Sequence, residues 1–158
     1  MELQSNTSIE PFKSEIVTRP WGHYGLYSDN EKCTCKILFI KQDELLSLQY
    51  HFSRDQFYMA LDDGFTVCYS NKPVPQEIVN DPDEPRRIKN LEKFLSDNII
   101  TKVIKEGEMF GFHRFVVHRA HYTGDREYGR VLDIAFGHND EEDIVRIEDR
   151  YGRDTLFL

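Results

Sequence analysis

The segment Leu46-Ser47-Leu48-Gln49-Tyr50-His51 carries two side chains, Gln49 and His51, that can offer a lone pair to a metal ion. In an extended strand their spacing puts them on one face with Ser47, and puts Leu46, Leu48 and Tyr50 on the other. After Phe52-Ser53-Arg54-Asp55 the chain resumes as Gln56-Phe57-Tyr58-Met59-Ala60. Gln56 can then face the same side as Gln49 and His51. His118 lies far along the chain in a second β-rich run, Phe115 to Tyr122. Three potential ligands from two neighbouring strands, with a histidine from a distant one, are enough for a small β-barrel to build a metal pocket. Imidazoles suit zinc and other first-row ions, and amide oxygens widen the choice. An ion so held polarises a carbonyl and stabilises the enediolate that forms when a proton leaves the neighbouring carbon.

Those residues need strands to position them. Candidate strands are 22–27, 33–41, 45–52, 56–61, 65–69, 99–104, 109–112, 115–122 and 129–136. Turn signals divide several of them, at Ser28-Asp29-Asn30, Asp62-Asp63-Gly64 and Tyr122-Thr123-Gly124-Asp125. Asp63-Gly64 between two β-like runs predicts a hairpin. Many short strands at this spacing predict an all-β sandwich or barrel. The stretch 72–98 breaks the pattern. Pro73, Pro75, Pro82 and Pro85 exclude a central strand there. Ile88, Leu91 and Leu95 have helical spacing, and Asp81 or Asp83 can cap the helix. A loop with a short amphipathic helix, its basic face solvated, is expected on the barrel.

The chain has 158 residues, which predicts one domain. Eleven Phe and eight Tyr suit a β-rich interior. The formal charge of −8 argues against general nucleic-acid binding. No apolar run approaches the ~20 residues needed to span a bilayer. The first residues, Met1 to Asn6, lack the basic and apolar regions of a signal peptide. A cytoplasmic protein with no membrane partner is expected. Cys33 and Cys35, two apart, supply only two thiolates where a structural zinc site wants four ligands. Plain buried or half-buried thiols are the expectation.

Four segments resemble one family. Leu46-Ser47-Leu48-Gln49-x-His51-x-x-Arg54 resembles the first cupin motif in the form found in type II mannose-6-phosphate isomerases, LSLQxHHHRxEHW. Arg19-Pro20-Trp21-Gly22-His23-Tyr24 resembles that family's RPWGxY. Gly107-Glu108-Met109-Phe110 and His118 fall where GExxxIPxGxxH lies. The run from Glu142 to Arg153 is close to EDDIVRxEDxYGR. The resemblance runs from Arg19 to Arg153, apart from Lys72 to Asn98. It implies a cupin double-stranded β-helix with a short helical insertion. Residues 1–158 would be a single cupin domain, with 1–18 an N-terminal extension and 72–98 the insertion.

By the same resemblance Gln49, His51, Gln56 and His118 are metal ligands, and Arg54 is the catalytic arginine that grips phosphate or steadies the enediolate. The implied cofactor is a divalent metal, zinc first, with manganese, cobalt, nickel and iron as alternatives. The implied partner is a small-molecule sugar phosphate, and a homodimer is compatible with the family. The implied reaction interconverts mannose 6-phosphate and fructose 6-phosphate. Fused family members carry a nucleotidyltransferase domain, which these residues do not contain, so guanylyltransferase activity is not expected. Gln56 replaces the family's carboxylate, and Phe52 and Ser53 replace two further histidines. His113 and Phe115 stand where the second motif has Pro and Gly. Three alternatives stay open: a non-catalytic sugar-phosphate-binding cupin, a metal-free nucleotide-sugar epimerase-like cupin using a His/Tyr pair, and an iron-holding oxidative cupin. His121 and Tyr122 lie close enough to His118 in sequence to be considered as a base. Arg19 and Trp21 are expected to be structural, and 143–153 to be a solvated strand or lid held by ion pairs.

Overall fold

The structure is a computed structural model that describes residues 15–137 and 140–153. Residues 1–14 of the expected 1–18 extension, with the segment Met1 to Asn6, lie outside the described residues. Alternating burial marks the strands from the start. β1 (Glu15–Arg19) and β2 (Gly22–Asp29) lead into β3 (Thr34–Lys41), whose residues switch between buried and half-buried along its length. β4 (Leu48–His51), β5 (Gln56–Ala60) and β6 (Phe65–Ser70) follow. Helices α1 (Gln76–Val79) and α2 (Glu84–Asn98) come next. The chain ends with β7 (Ile99–Ile104), β8 (Met109–Phe112), β9 (His118–Tyr122), β10 (Tyr128–Ala135) and β11 (Ile144–Glu148).

The strands form two antiparallel sheets, ordered β1-β2-β3-β10-β5-β8 and β11-β4-β9-β6-β7. From β3 to β6 each strand lies in the opposite sheet from the one before it. The same alternation resumes from β7 to β11. This is the double-stranded β-helix, all-β apart from the helices between β6 and β7. The barrel is filled from both sheets by Trp21, Tyr24, Leu38, Ile40, Tyr58, Phe65, Val67, Ile104, Phe112, Tyr122 and Val131, among others.

The alternation corrects three expectations. Asp63-Gly64 does not make a hairpin, because β5 pairs with β10 and β8 while β6 pairs with β7 and β9. The turn is a corner between sheets. Gly64 takes φ +95°, and a Cβ there would stand 2.5 Å from the Gly124 Cα, so the corner needs glycine for its backbone and for its space. The turn residues fit the signal, but burial of the flanking strands on opposite walls decides the pairing. Likewise β4 and β5 are not neighbours in a sheet, so Gln56 reaches the pocket from the wall facing Gln49 and His51. Leu46 lies ahead of β4 and packs in the barrel rather than with Leu48 and Tyr50. β1 also forms where no strand had been expected, as the outer strand beside β2.

A second apolar layer lies on the outside of the β4–β9 wall. Leu91 and Phe94 of α2 pack on Leu48, Tyr50, Val117 and Ile147. Asp83 is the N-cap, accepting from the Arg86 amide at 3.0 Å, while Asp81 takes the Arg86 guanidinium. Leu48 and Tyr50 thus face the helix while Gln49 and His51 face the barrel. Phe115 adopts φ +65°, in the left-handed region that suits the glycine of the second cupin motif. Its ring packs against Tyr50 and Phe52. The three cysteines are free and half-buried.

Candidate metal centre and cavity

Gln49 sits opposite His118 in the β4–β9 pair, and Gln56 opens β5 on the facing sheet. The barrel brings these side chains and His51 to one point. The Nε2 atoms of His51 and of His118 each lie 2.9 Å from the same atom, Gln56 Oε1. The Gln49 amide nitrogen lies 3.5 Å from His51 Nε2. His51, Gln56 and His118 are buried, with His118 only 1% exposed.

The protons at this point cannot all be matched to acceptors. Gln56 Nε2 donates to Asp133 Oδ1 at 2.7 Å, which turns Oε1 toward the histidines. His118 Nδ1 lies 2.9 Å from the Val116 carbonyl, which only accepts. Its ring stacks on Phe112 and meets Tyr58 edge-on. Burial, and then the nearby His51, lowers the His118 pKa to about 3, so the ring is neutral and has one N–H to give. With that proton on Nδ1, the Nε2 lone pair faces the lone pairs of Gln56 Oε1. A similar choice arises at His51. Asp143 Oδ2 lies 3.5 Å from His51 Nδ1 and is a buried acceptor with no hydrogen bond of its own. With the Arg54 Nε–H donating to His51 Nδ1 at 3.3 Å the ring proton lies on Nε2 and is given to Gln56 Oε1; moved to Nδ1, the proton faces Asp143 and bares Nε2 toward Gln56.

Converging lone pairs of this kind fit a cation. Ligand atoms at right angles about an ion with ~2.1 Å bonds stand about 3.0 Å apart, close to the two separations found here. Gln49 can complete the set. Ser47 Oγ bonds Gln49 Oε1 at 2.6 Å, and a hydroxyl both donates and accepts, so a half-turn of the amide keeps that bond and presents oxygen. Among the described residues no three His, Cys, Asp or Glu side chains cluster as a metal site. The candidate set is two imidazoles and two carboxamides.

Carboxylates stand one layer behind. Asp133 backs Gln56, and Asp143 backs His51, as outer partners that orient a ligand and raise its basicity. Burial pushes the Asp143 carboxyl up, but the nearby His51 and the hydrogen bonds from the Ser53 hydroxyl and amide outweigh it, and its pKa is held down to about 2. Arg54 is buried rather than at the mouth. Its Nε lies 3.3 Å from His51 Nδ1 and 3.5 Å from Asp143 Oδ2.

A cavity of about 70 Å³, open to solvent, leads to this point. Gln49, Arg54, Gln56, Tyr58 and Asp133 line it, as do Lys36, Arg19, Trp21, Glu141, Arg146 and Arg153. Five cationic side chains face two carboxylates in a protein whose formal charge is −8. Arg19 and Trp21, expected to be structural, are wall residues, and the C-terminal run builds the mouth. Tyr122 and His121 do not join the site. Tyr122 packs on Phe65 in the barrel interior, and His121 alternates to the other face of β9.

Lys36 and Asp133 were missed, yet both left a signal. They face each other across β3 and β10. Each is the charged member of an inward set that is otherwise uncharged, with Thr34, Leu38 and Ile40 on β3 and with Gly129, Val131 and Ala135 on β10. A charge at an inward strand position is a stronger pointer than a charge in a turn. Burial lowers the Lys36 pKa, against the opposing effect of Asp133.

The sequence matches the family model for the mannose-6-phosphate isomerase C-terminal domain over residues 6–76. No curated protein sequence matches the chain. Among solved structures it is similar to the capsular polysaccharide assembling protein CapF from Staphylococcus aureus, at TM-score 0.61 and 11% identity, covering 87% of this chain and 33% of that one. Oxalate decarboxylase from Bacillus subtilis matches at TM-score 0.58 and 10% identity, over 85% of this chain and 30% of that one. An RmlC-like cupin from Shewanella frigidimarina matches at TM-score 0.55 and 14% identity, over 87% and 96%. The chain thus spans about a third of the first two proteins and nearly all of the third. Among the described residues no helix is long and apolar enough to cross a membrane. Sheet topology and these likenesses agree on the cupin fold, and within it residues 6–76 match the model for the mannose-6-phosphate isomerase C-terminal domain.

Proposed function

We propose that the chain is a metal-dependent sugar-phosphate isomerase-like cupin that interconverts mannose 6-phosphate and fructose 6-phosphate. The observation that carries this reading is the meeting of His51 Nε2, His118 Nε2 and Gln56 Oε1, with the His118 lone pair set against the Gln56 oxygen, at the end of a cationic cavity. A divalent ion, zinc first, held there by Gln49, His51, Gln56 and His118 supplies Lewis-acid charge to a sugar carbonyl. Lys36 moves the proton between the two adjacent carbons, as the cavity-wall amine whose pKa burial lowers. Arg54 steadies the negative oxygen of the enediolate and braces His51. Asp133 makes the Gln56 oxygen a better donor by holding its amide protons.

The test is a coupled assay on protein reconstituted with zinc, manganese, cobalt, nickel or iron. Slow turnover that depends on the metal is expected, because a carboxamide stands where the family has a carboxylate. If no metal lifts turnover above background, the isomerase reading fails and a sugar-phosphate-binding cupin replaces it.

A further prediction follows from the Gln56–Asp133 bond. Gln56→Glu alone sets one carboxylate against another at 2.7 Å, so much of its gain in metal affinity is lost to repulsion. Gln56→Glu with Asp133→Asn moves the charge onto the ligand and keeps a donor behind it. Calorimetric titration with zinc should show the double variant binding about tenfold tighter than wild type. Equal affinity in all three proteins would show that Gln56 does not touch the ion.

A further inference from the structure

Beyond the inner cavity lies a wider vestibule lined by Arg19, Glu141, Arg146, Gly152 and Arg153. Three guanidinium groups there surround one carboxylate. Arg146 Nη2 donates to Glu141 Oε2 at 2.5 Å, and Arg19 Nη2 lies 4.0 Å from Glu141 Oε1. Arg153 is already held by Asp149 at 2.5 Å and lends field rather than a free fork.

The two partners of the central pair are unequal. The Arg146 side chain is only 11% exposed, while that of Glu141 is 57% exposed. Arg146 Nε is buried and makes no hydrogen bond. The cation is thus built into the wall with a donor to spare, and the carboxylate is a lightly held visitor from the loop ahead of β11. Burial raises the Glu141 pKa, but the Arg146 bond and the charges of Arg146, Arg19 and Lys36 outweigh it, so it sits there as an anion.

We propose that this vestibule is a phosphate-binding subsite, in which Glu141 is an internal stand-in that the ligand's phosphate group replaces. A phosphate brings more charge than a carboxylate and three acceptor oxygens. It can take Arg146 through both Nη2 and the spare Nε while also reaching Arg19, which one carboxylate oxygen cannot do. The inference rests on the reading of the inner cavity as a site for a phosphorylated sugar. It places the phosphate on Arg146 and Arg19 rather than on Arg54, which is committed to His51 and Asp143.

The test uses metal-free protein titrated with inorganic phosphate, with sulfate as a second arm. The chain's one tryptophan, Trp21, lines the cavity and supplies a fluorescence readout, with calorimetry beside it. Removing the stand-in by Glu141→Gln should tighten phosphate binding at least fivefold. Arg146→Gln in that background should weaken it at least tenfold. Arg119→Gln, which breaks an ion pair with Glu148 on the outer face, should change nothing. Phosphate bound no tighter by Glu141→Gln than by wild type would overturn the proposal, as would equal binding after Arg146→Gln. Because Glu141→Gln alters an exposed side chain, a folding failure of Arg146→Gln leaves the first criterion standing. Zinc titration of the same proteins keeps the two readings apart: lost zinc binding with intact phosphate binding sinks the metal centre alone, and the reverse sinks the subsite alone.

Discussion

His118→Ala is expected to lower zinc affinity roughly a thousandfold. Loss of an outer partner that merely orients a ligand costs about 10–100-fold, and removal of the ligand itself costs more. The imidazole offers Nε2 to the point where His51 and Gln56 meet, and its Nδ1 is already engaged by the Val116 carbonyl. No other side chain replaces it, because Phe112 and Tyr58 close around the ring. Calorimetric titration of protein stripped with a chelator is the measurement, and affinity within threefold of wild type would remove His118 from the ligand set.

The same variant carries a pH signature in the metal-free state. The folded pKa of about 3 lies below the ordinary 6.5, so the unfolded chain takes up this proton first. The resulting stability is fully present above pH 6.5 and is lost as pH falls from 6.5 toward 3. His118→Ala should flatten that part of the stability curve, read by urea denaturation at a series of pH values.

Lys36→Met should cut kcat for mannose 6-phosphate by about a hundredfold or more, the usual range for a positioned proton-transfer group. Methionine keeps the length and apolar body of the side chain and removes the Nζ that stands 4.8 Å over the Tyr24 ring. Zinc affinity should stay within about threefold of wild type, because Lys36 is outside the ligand set. A structural role would lower stability and leave the pH–rate profile unchanged in shape. A catalytic role removes the limb of the profile that reports the amine. Wild-type kcat in Lys36→Met would eliminate the residue as the base.

The strands and the shared face of Gln49 and His51 were legible because both depend on alternation within a few residues. Gln49 and His51 fall on one face for the same reason that Leu48 and Tyr50 fall on the other, and the helix covers the second pair. What the sequence concealed was which wall each strand joins. Asp63-Gly64 has the composition of a hairpin turn and makes a corner instead, a difference set by partners as distant as Gln56 and Ala135. Asp143 left no local trace of its place behind His51. Ser53 and Asp143 bond across ninety positions of chain, which no motif spacing encodes. Lys36 and Asp133 were readable in principle, since each breaks an inward face, but a charge beside Cys35 or Leu132 looks unremarkable until the face is known.

The alternation of strands between walls has a kinetic consequence. Thr34 pairs with Ala135, and Gln49 with His118, so neither wall closes until most of the chain is present. Closing such long loops costs entropy before the pairing returns any, which gives high contact order and folding on the millisecond-to-second scale typical of β-rich topologies. β4 presents Gln49 and His51 early, but β9 must arrive before His118 meets them. The pocket is therefore finished only when the last turn of the winding is in place, and a chain caught partway presents Gln49 and His51 without His118.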